Sequence, residues 1–223
     1  MFGISLYQPK VIETRLEGRA FFNPRTTFAA NDIIEYTTLY LSQIPCSWGA
    51  VYFPENWREF HSYLNLRFSE AVFAIDAVVV PDARSNRWPK SWKKYFIELA
   101  YLRGYVMVYP NYDNFVSLST NHLEAGSHVK DTSRESYVQK REMFRVPLMD
   151  LEGTTQLLDL PRGALPAFGD LPVLDLFGRP SSLESLIRLG QKRRSEMVPT
   201  CDPSYEDRIR PDFRDIICAP SAN

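Results

Sequence analysis

Residues 91–128 constrain the fold of this chain more than any other stretch, because they join a helix, a glycine turn and an apolar strand. Ser91 can cap the start of a helix, and Gly104 can end it in the left-handed conformation that glycine adopts at little cost. Between them, large apolar side chains recur at helical spacing: Trp92, Tyr95, Phe96, Leu99 and Leu102. Residues 105–109 carry no charged side chain and are followed by Pro110, which predicts a strand buried on both faces.

Polar side chains follow this predicted strand. They bear amide, carboxylate and imidazole groups: Asn111, Asp113, Asn121, His122, Glu124 and His128. The ligands of α/β units collect in the loops beyond the strand ends. We therefore expect ligand-binding residues in this part of the chain.

The other predicted elements favour an α/β class with a small mixed sheet and packed helices. We predict strands in residues 3–7 and 71–80, an apolar segment at 39–44, and a helix that begins at Pro54 and runs to Phe68. Capping-box pairs predict two more helices, one at 132–144 and one at 181–197. Residues 10–36 are predicted to be mostly loop, and the Pro-rich residues 153–180 to pack irregularly across a surface. The predicted divisions are 1–150, 151–197 as a packing extension with a helix, and 198–223 as a poorly ordered tail.

Composition excludes several classes of function. The formal net charge of −1 gives no steering toward nucleic acid or an anionic membrane. No apolar run is long enough to span a bilayer. The three cysteines are far apart and match neither a disulfide framework nor a zinc spacing. Cys46 with His61 could form a nucleophile pair, although a buried structural cysteine is the commoner role.

Three strings give the chain a family resemblance. They are SWGAVYFPENWREFHSYL, RSNRWPKSWKKYF and STNHLEAGSHVK, all within residues 3–150. They are similar to a glycosyltransferase-2-like family of fungi and plants. The Arg-Gly-Tyr turn, the apolar strand ending in Tyr-Pro and the later histidine also resemble the C-terminal half of the catalytic domain of GT-A glycosyltransferases.

The resemblance implies transfer of a sugar from a nucleotide sugar to a carbohydrate acceptor, with residues 1–150 as the acceptor-side half of a partial GT-A-like layer. The catalytic candidates are Asp82, which lies in a loop after an apolar run and is favoured as the base, and Glu98, which lies inside a helix where ion pairing is more common. The candidates for substrate binding share aromatic, amide or basic side chains: Trp48, Trp57, Arg84, Asn86 and Lys90. Structural roles for the two tryptophans, and simple surface roles for the basic residues, remain open.

The resemblance also implies a divalent metal, Mn²⁺ or Mg²⁺, with His122 as a ligand beside carboxylates of an Asp-x-Asp motif. That motif is absent after the predicted N-terminal strands. We therefore expect a chain that lacks the nucleotide-binding half, needs that half as a partner, and has no transfer activity alone. The full-length family protein would belong to a Golgi or secretory membrane, and this chain by itself would be soluble. The alternative is a non-catalytic carbohydrate-binding or interaction module derived from the same family.

Overall fold

The computed structural model describes residues 1–33, 39–68, 78–122, 133–150 and 166–197. Within these ranges a six-stranded mixed sheet, a two-stranded ribbon and five α-helices confirm the predicted mixed α/β class. The strands are β1 (Gly3–Ser5), β2 (Val11–Ile12), β3 (Ala20–Phe21), β4 (Tyr40–Ser42), β5 (Ala50–Tyr52), β6 (Met107–Tyr109), β7 (Val173–Leu174) and β8 (Pro180–Ser181). The helices are α1 (Pro24–Ala29), α2 (Pro54–Phe68), α3 (Trp92–Arg103), α4 (Arg134–Phe144) and α5 (Leu183–Met197).

The main sheet has the strand order β5-β1-β6-β4-β7-β8. Strand β1 runs parallel to β6, and β4 runs parallel to β7, while the other neighbours are antiparallel. Gly3 is opposite Met107 in the first parallel pair, and Leu41 is opposite Val173 in the second. Strands β6 and β4, which are the two central strands of the sheet, therefore run in opposite directions.

Helix α3 is the centre of the core. All eight residues at positions 95–102 are buried, so the helix is covered on nearly every face. Phe96 stacks on Phe60 of α2 with ring centroids 4.4 Å apart, and it meets Phe2, which precedes β1, at 5.0 Å. Each large side chain buried in this way stabilises the fold by about 1.5–3 kcal/mol.

Two glycines allow α3 and α5 to pack closely. Gly104 ends α3 with φ 64°, which confirms the predicted left-handed cap, and a Cβ there would lie 2.7 Å from Cα of Ile187. A Cβ on Gly190 would lie 2.4 Å from the carbonyl oxygen of Leu102. Both contacts are with backbone, which cannot move aside as a flexible side chain does, and the contact at Gly190 is the closer one. Close approach of these two helices therefore requires glycine at position 190.

The prediction of mostly loop for residues 10–36 is wrong in part. The segment contains α1 as well as the ribbon of β2 and β3. Pro24 occupies the start of α1, and the Asn23 side chain accepts a hydrogen bond from the N–H of Arg25. An Asn cap followed by Pro in the first turn is a helix-start signal that is visible in the sequence. The helix is only six residues long, so it has no repeated apolar stripe to reveal it.

The predicted irregular packing of residues 153–180 also needs correction for its described part. Val173 and Leu174 form β7 beside β4 and bring β8 into the sheet. A strand of two residues has no alternation to read, and it forms here because β4 offers an unpaired edge.

The predicted helices near 54–68, 91–103, 132–144 and 181–197 are present, with caps shifted by one residue in two of them. Ser133 caps α4 by accepting from the N–H of Ser136, and Ser182 caps α5 by accepting from the N–H of Ser185. Of the predicted strand at 71–80, residues 78–80 are not in a strand and the rest lies outside the described residues. The predicted tail 198–223 also lies outside them. No helix within the described ranges is both long and apolar enough to cross a membrane.

We predict that Gly190→Ala lowers the free energy of unfolding by about 1–3 kcal/mol, because the new methyl group forces α5 away from the backbone of α3. Chemical denaturation followed by circular dichroism measures the change. Gly169→Ala is the matched control, since a Cβ there meets nothing within 4 Å. Equal stability of the two variants would contradict the close packing of α3 and α5.

Candidate functional site

A well-formed cleft lies where β4 and β7 end. It has a volume of about 400 Å³, which is within the range of small-molecule sites. Its walls combine charged, amide and aromatic side chains: Arg15, Leu16, Glu17, Gln43, Pro81, Asp82, Tyr101, Asp175, Leu176, Phe177, Arg179 and Leu189. Gln43 directly follows β4 and Asp175 directly follows β7, so two neighbouring parallel strands deliver polar residues to the same edge. This is the position where α/β sheets bind their ligands.

Asp175 organises the loop after β7. Its Oδ1 accepts hydrogen bonds from the N–H groups of Phe177 at 2.8 Å and Arg179 at 2.9 Å. Its Oδ2 forms an ion pair with Nε of Arg179 at 2.9 Å. Arg15 donates from Nε to the carbonyl of Phe177 at 2.9 Å, which ties the N-terminal segment to this loop. The wall of the cleft is therefore held in place by hydrogen bonds that run to the backbone.

The floor of the cleft is buried and polar. Gln43 is buried, and its Nε2 donates to the carbonyl of Ala100 on α3 at 3.1 Å. Tyr101 is also buried, and this burial is the main cause that raises the pKa of its hydroxyl, so the group stays protonated at neutral pH. An amide and a neutral phenol can each donate or accept a hydrogen bond. The floor thus suits a neutral polyhydroxylated ligand.

A second candidate site is a group of four charged side chains that we call the Glu13 cluster: Glu13, Arg19, Arg84 and Lys93. Lys93 Nζ lies 2.5 Å from Oε1 of Glu13, and Arg19 Nε lies 4.0 Å from its Oε2. Burial raises the pKa of Glu13, but the positive charges of Lys93, Arg19 and Arg84 outweigh burial and lower that pKa from its usual 4.5. Glu13 is therefore a carboxylate at neutral pH, and three cations surround it.

Aromatic rings border each cation of the Glu13 cluster. Lys93 lies over the ring of Trp48 at 5.6 Å from its centroid, Arg19 over Phe144 at 5.0 Å, and Arg84 over Trp88 at 5.8 Å. These distances are those of cation–π contacts. Two residues predicted to bind substrate are thus found here: Arg84 belongs to the Glu13 cluster, and Trp48 borders it.

The sequence-predicted residues Asp82 and Arg84 lie at the junction of these two sites. Residues Arg15 and Ala83 form an isolated β-bridge, and the Arg84 N–H donates to the carbonyl of Thr14 at 2.8 Å. Asp82 lines the cleft, is exposed, and has φ 54°, which is an uncommon conformation for a residue with a side chain. Strained backbone of this kind is concentrated at functional sites.

Glu98, the other catalytic candidate, sits in an ion-paired group inside the core. Only 2% of its side chain is exposed, and its Oε2 lies 3.0 Å from Nε of Arg67. Tyr63 donates its hydroxyl to the same oxygen at 2.8 Å, and Lys94 lies 3.9 Å away. Glu98 is not among the residues that line the cleft. These contacts fit the structural alternative that the sequence left open for it.

Three further residues predicted to bind substrate lie elsewhere. Trp57 on α2 stacks against Tyr52 with ring centroids 5.1 Å apart. Asn86 donates from Nδ2 to the carbonyl of Val80 at 2.8 Å, and Lys90 is exposed. None of the three lines the cleft. Their predicted role in substrate binding stays a prediction.

The polar stretch after β6 divides into a structural and an exposed part. Arg25 of α1 donates to the carbonyl of Asn111 from Nε at 2.9 Å and forms an ion pair with Asp113 at 2.8 Å, so it fastens this loop to the core. His122 is exposed, whereas Glu124 and His128 lie outside the described residues. Within the described ranges, no three His, Cys, Asp or Glu side chains are grouped in a way that holds a metal ion. We therefore assign no chemical step to a metal.

Cys46 lies in an environment that suppresses nucleophilic chemistry. It is buried, and its Sγ–H donates to the carbonyl of Trp48 at 3.0 Å. Burial is the largest influence on this thiol and raises its pKa, which disfavours the reactive thiolate. His61, the predicted partner, is an exposed residue of α2 whose Nδ1 is hydrogen-bonded to Asn65. The described geometry thus favours a structural Cys46.

Sequence reasoning missed most of the residues that form the two sites. Glu13 and Arg19 lie in a segment interpreted as loop, and Asp175 and Phe177 in a segment interpreted as irregular. One signal was available for the second pair, because Asp175, with Gly178 three positions later, follows a short apolar run and is typical of a turn after a strand. No sequence signal links Glu13 to Lys93, which are eighty positions apart.

The comparisons with known proteins give one limited match. Residues 14–73 match a family described as the SPBC1E8.03c C-terminal domain. That match spans less than half of the chain, and it does not bear on the glycosyltransferase resemblance. No curated protein and no solved structure matches the chain.

We predict that Glu98→Gln lowers the free energy of unfolding by about 3 kcal/mol, because it leaves the largely buried Arg67 charge without its carboxylate. Urea denaturation provides the measurement. Glu55→Gln is the matched control, since Glu55 pairs with Arg58 at the surface, where such a pair contributes about 1 kcal/mol or less. If both variants lost the same small amount, the buried pair would not have the structural role described.

We also predict that Cys46 reacts with iodoacetamide at least about tenfold more slowly in the native protein than in the chain unfolded by urea, because the thiol is buried and protonated. Peptide mass spectrometry follows Cys46 separately from Cys201 and Cys218. Rapid native labelling of Cys46 would reopen the nucleophile hypothesis.

Proposed function

We propose that this chain takes part in glycosyl transfer from a nucleotide sugar and that the cleft at the ends of β4 and β7 holds a sugar. The observation that carries the proposal is the lining of the cleft, in which Phe177 lies among amide, carboxylate and guanidinium groups, with the Arg179 guanidinium 4.8 Å from the centroid of its ring. Sugars bind through hydrogen bonds to their hydroxyls and through contact of their apolar face with aromatic rings. The cleft supplies both kinds of contact, and its volume of about 400 Å³ accommodates one or two sugar rings.

Asp82 is the proposed base. It is the catalytic candidate that lines the cleft, and its exposure leaves the carboxylate accessible to an acceptor. In the proposed step, the acceptor hydroxyl oxygen bonds to the anomeric carbon while the bond from that carbon to the diphosphate oxygen breaks. The electron pair of that bond leaves with the diphosphate, and the hydroxyl proton moves to Asp82. Arg15 and Arg179 supply positive charge on the same walls.

The finer assignment, a partial GT-A-like layer, is part of this proposal. Its support is the sequence resemblance together with the mixed sheet on which α2 and α3 pack. The cleft then belongs to the acceptor side of that layer. A non-catalytic carbohydrate-binding module is the second candidate, because the polar cleft floor and the Phe177 ring would bind sugar equally well without any transfer.

We predict that the purified chain binds short oligosaccharides with millimolar or tighter affinity and that Phe177→Ala weakens this binding about tenfold, because the ring supplies the apolar contact. Saturation-transfer NMR identifies the bound sugar, and calorimetry gives the affinity. Phe168→Ala is the matched control, since Phe168 is an exposed phenylalanine outside the cleft. Binding that survives Phe177→Ala unchanged would place the sugar elsewhere.

Transfer is tested with UDP- and GDP-sugars, Mn²⁺ and the oligosaccharide that binds best. If transfer is observed, Asp82→Asn lowers its rate about 10²–10⁴-fold with sugar binding retained, as expected for loss of a base. The chain alone is expected to show no transfer, so the assay is repeated with a half that carries the Asp-x-Asp motif, and sugar binding without any transfer even then would favour the carbohydrate-binding module. Transfer that Asp82→Asn leaves intact would remove Asp82 from the proposal.

A further inference from the structure

The charges of the Glu13 cluster do not balance. Glu13 is one carboxylate, Lys93 and Arg19 pair with it, and the positive charge of Arg84 also acts on it. Lys93 forms a short ion pair with Glu13. The single negative charge of Glu13 therefore balances the charges of Arg19 and Arg84 only in part. Burial and the charge of Arg84 both lower the pKa of Arg19, and Glu13 is the group that opposes them. Two like charges are therefore held near each other in a partly buried place.

One polar atom in the cluster lacks a partner. The Nη1 atom of Arg84 is buried and makes no hydrogen bond to the described part of the chain. A buried guanidinium N–H without an acceptor costs more than an ordinary lost hydrogen bond, because the group is charged. An acceptor with negative charge would satisfy this atom and also relieve the repulsion between the arginines.

The cations of the cluster are held in position by other contacts. Lys93 belongs to α3, which is buried in the core, and the backbone of Arg84 is hydrogen-bonded to Thr14. Their contacts with Trp48 and Trp88 restrict both side chains further. Such preorganised cations bind an anion with little loss of side-chain entropy. Arg19 has a third of its side chain exposed, so an anion can enter from its side.

We propose that the Glu13 cluster binds a phosphate group between Arg19 and Arg84. The excess of two positive charges matches a phosphate ester, which carries a charge of about −1.5 to −2 at pH 7, better than it matches a single carboxylate. The guanidinium group presents parallel N–H donors that suit phosphate oxygens. The proposed phosphate site is formed by residues that do not line the cleft proposed to hold a sugar. Evidence against sugar binding in that cleft would therefore leave the phosphate proposal unaffected. The same chemistry serves free phosphate and the phosphate of a larger ligand.

The test is a titration of the full chain with inorganic phosphate at constant ionic strength, with acetate and chloride as comparison anions. Thermal unfolding and calorimetry provide the readouts. We expect saturable binding and a rise in Tm with phosphate, and much weaker effects with acetate and chloride. No saturable phosphate binding, or the same effect from all three anions, would overturn the proposal.

Variants locate the bound phosphate. Arg84→Gln and Arg19→Gln each weaken phosphate binding about tenfold or more, because each removes a charge-assisted hydrogen bond. Arg58→Gln on the exposed face of α2 is the matched control and leaves the affinity unchanged. If Arg84→Gln does not fold, Arg19→Gln is the test variant, because Arg19 is the more exposed of the two residues. Unchanged affinity in a folded Arg19→Gln or Arg84→Gln variant would rule out this site.

Glu13→Gln separates binding from a merely structural role. It removes the carboxylate that competes for the arginines, so we expect tighter phosphate binding and a larger rise in Tm with phosphate than in the natural protein. A cluster that only stabilises the fold would lose stability in this variant without any rescue by phosphate, and that result would overturn the proposal.

UDP and pyrophosphate are titrated in a final experiment that identifies the kind of ligand. Tighter binding of either than of inorganic phosphate identifies the ligand as a phosphate ester or anhydride, and equal binding identifies it as free phosphate.

Discussion

The structure depends on the burial of α3. Helices α2, α4 and α5 leave many of their residues exposed, but α3 is covered by α2 and α5 and shares one core cluster with residues of the sheet. This position forces its one internal acid, Glu98, to find partners within the core, where Arg67 pairs with its charge and Tyr63 donates a hydrogen bond to it. It also forces close backbone contact with α5 at Gly190, since no side chain fits between the two helices there.

Burial of α3 positions both candidate sites. Its first turn carries Lys93 into the Glu13 cluster, and its last turns carry Tyr101 into the floor of the cleft at the ends of β4 and β7. A single buried helix thus connects the Glu13 cluster with the floor of the cleft. The functional proposals differ in ligand chemistry, but they rest on the same helix.

A short backbone junction separates the two sites. The bridge between Arg15 and Ala83 and the hydrogen bond from Arg84 to Thr14 hold two segments side by side. Arg15 lines the cleft, whereas Glu13, two positions earlier in the chain, belongs to the cluster.

The sequence by itself determined the elements whose signals are local. The spacing of apolar side chains and the cap at Gly104 predicted α3, and Pro54 marked the start of α2. Only the tertiary structure decided the sheet order, the pairing of β7 with β4 and the membership of both sites. Glu13 meets Lys93, and Gln43 and Asp175 line the same cleft, through packing of distant segments. A single sequence records which residues have charge or bulk, but the partner of each depends on which surfaces are buried together, and that is a property of the whole fold.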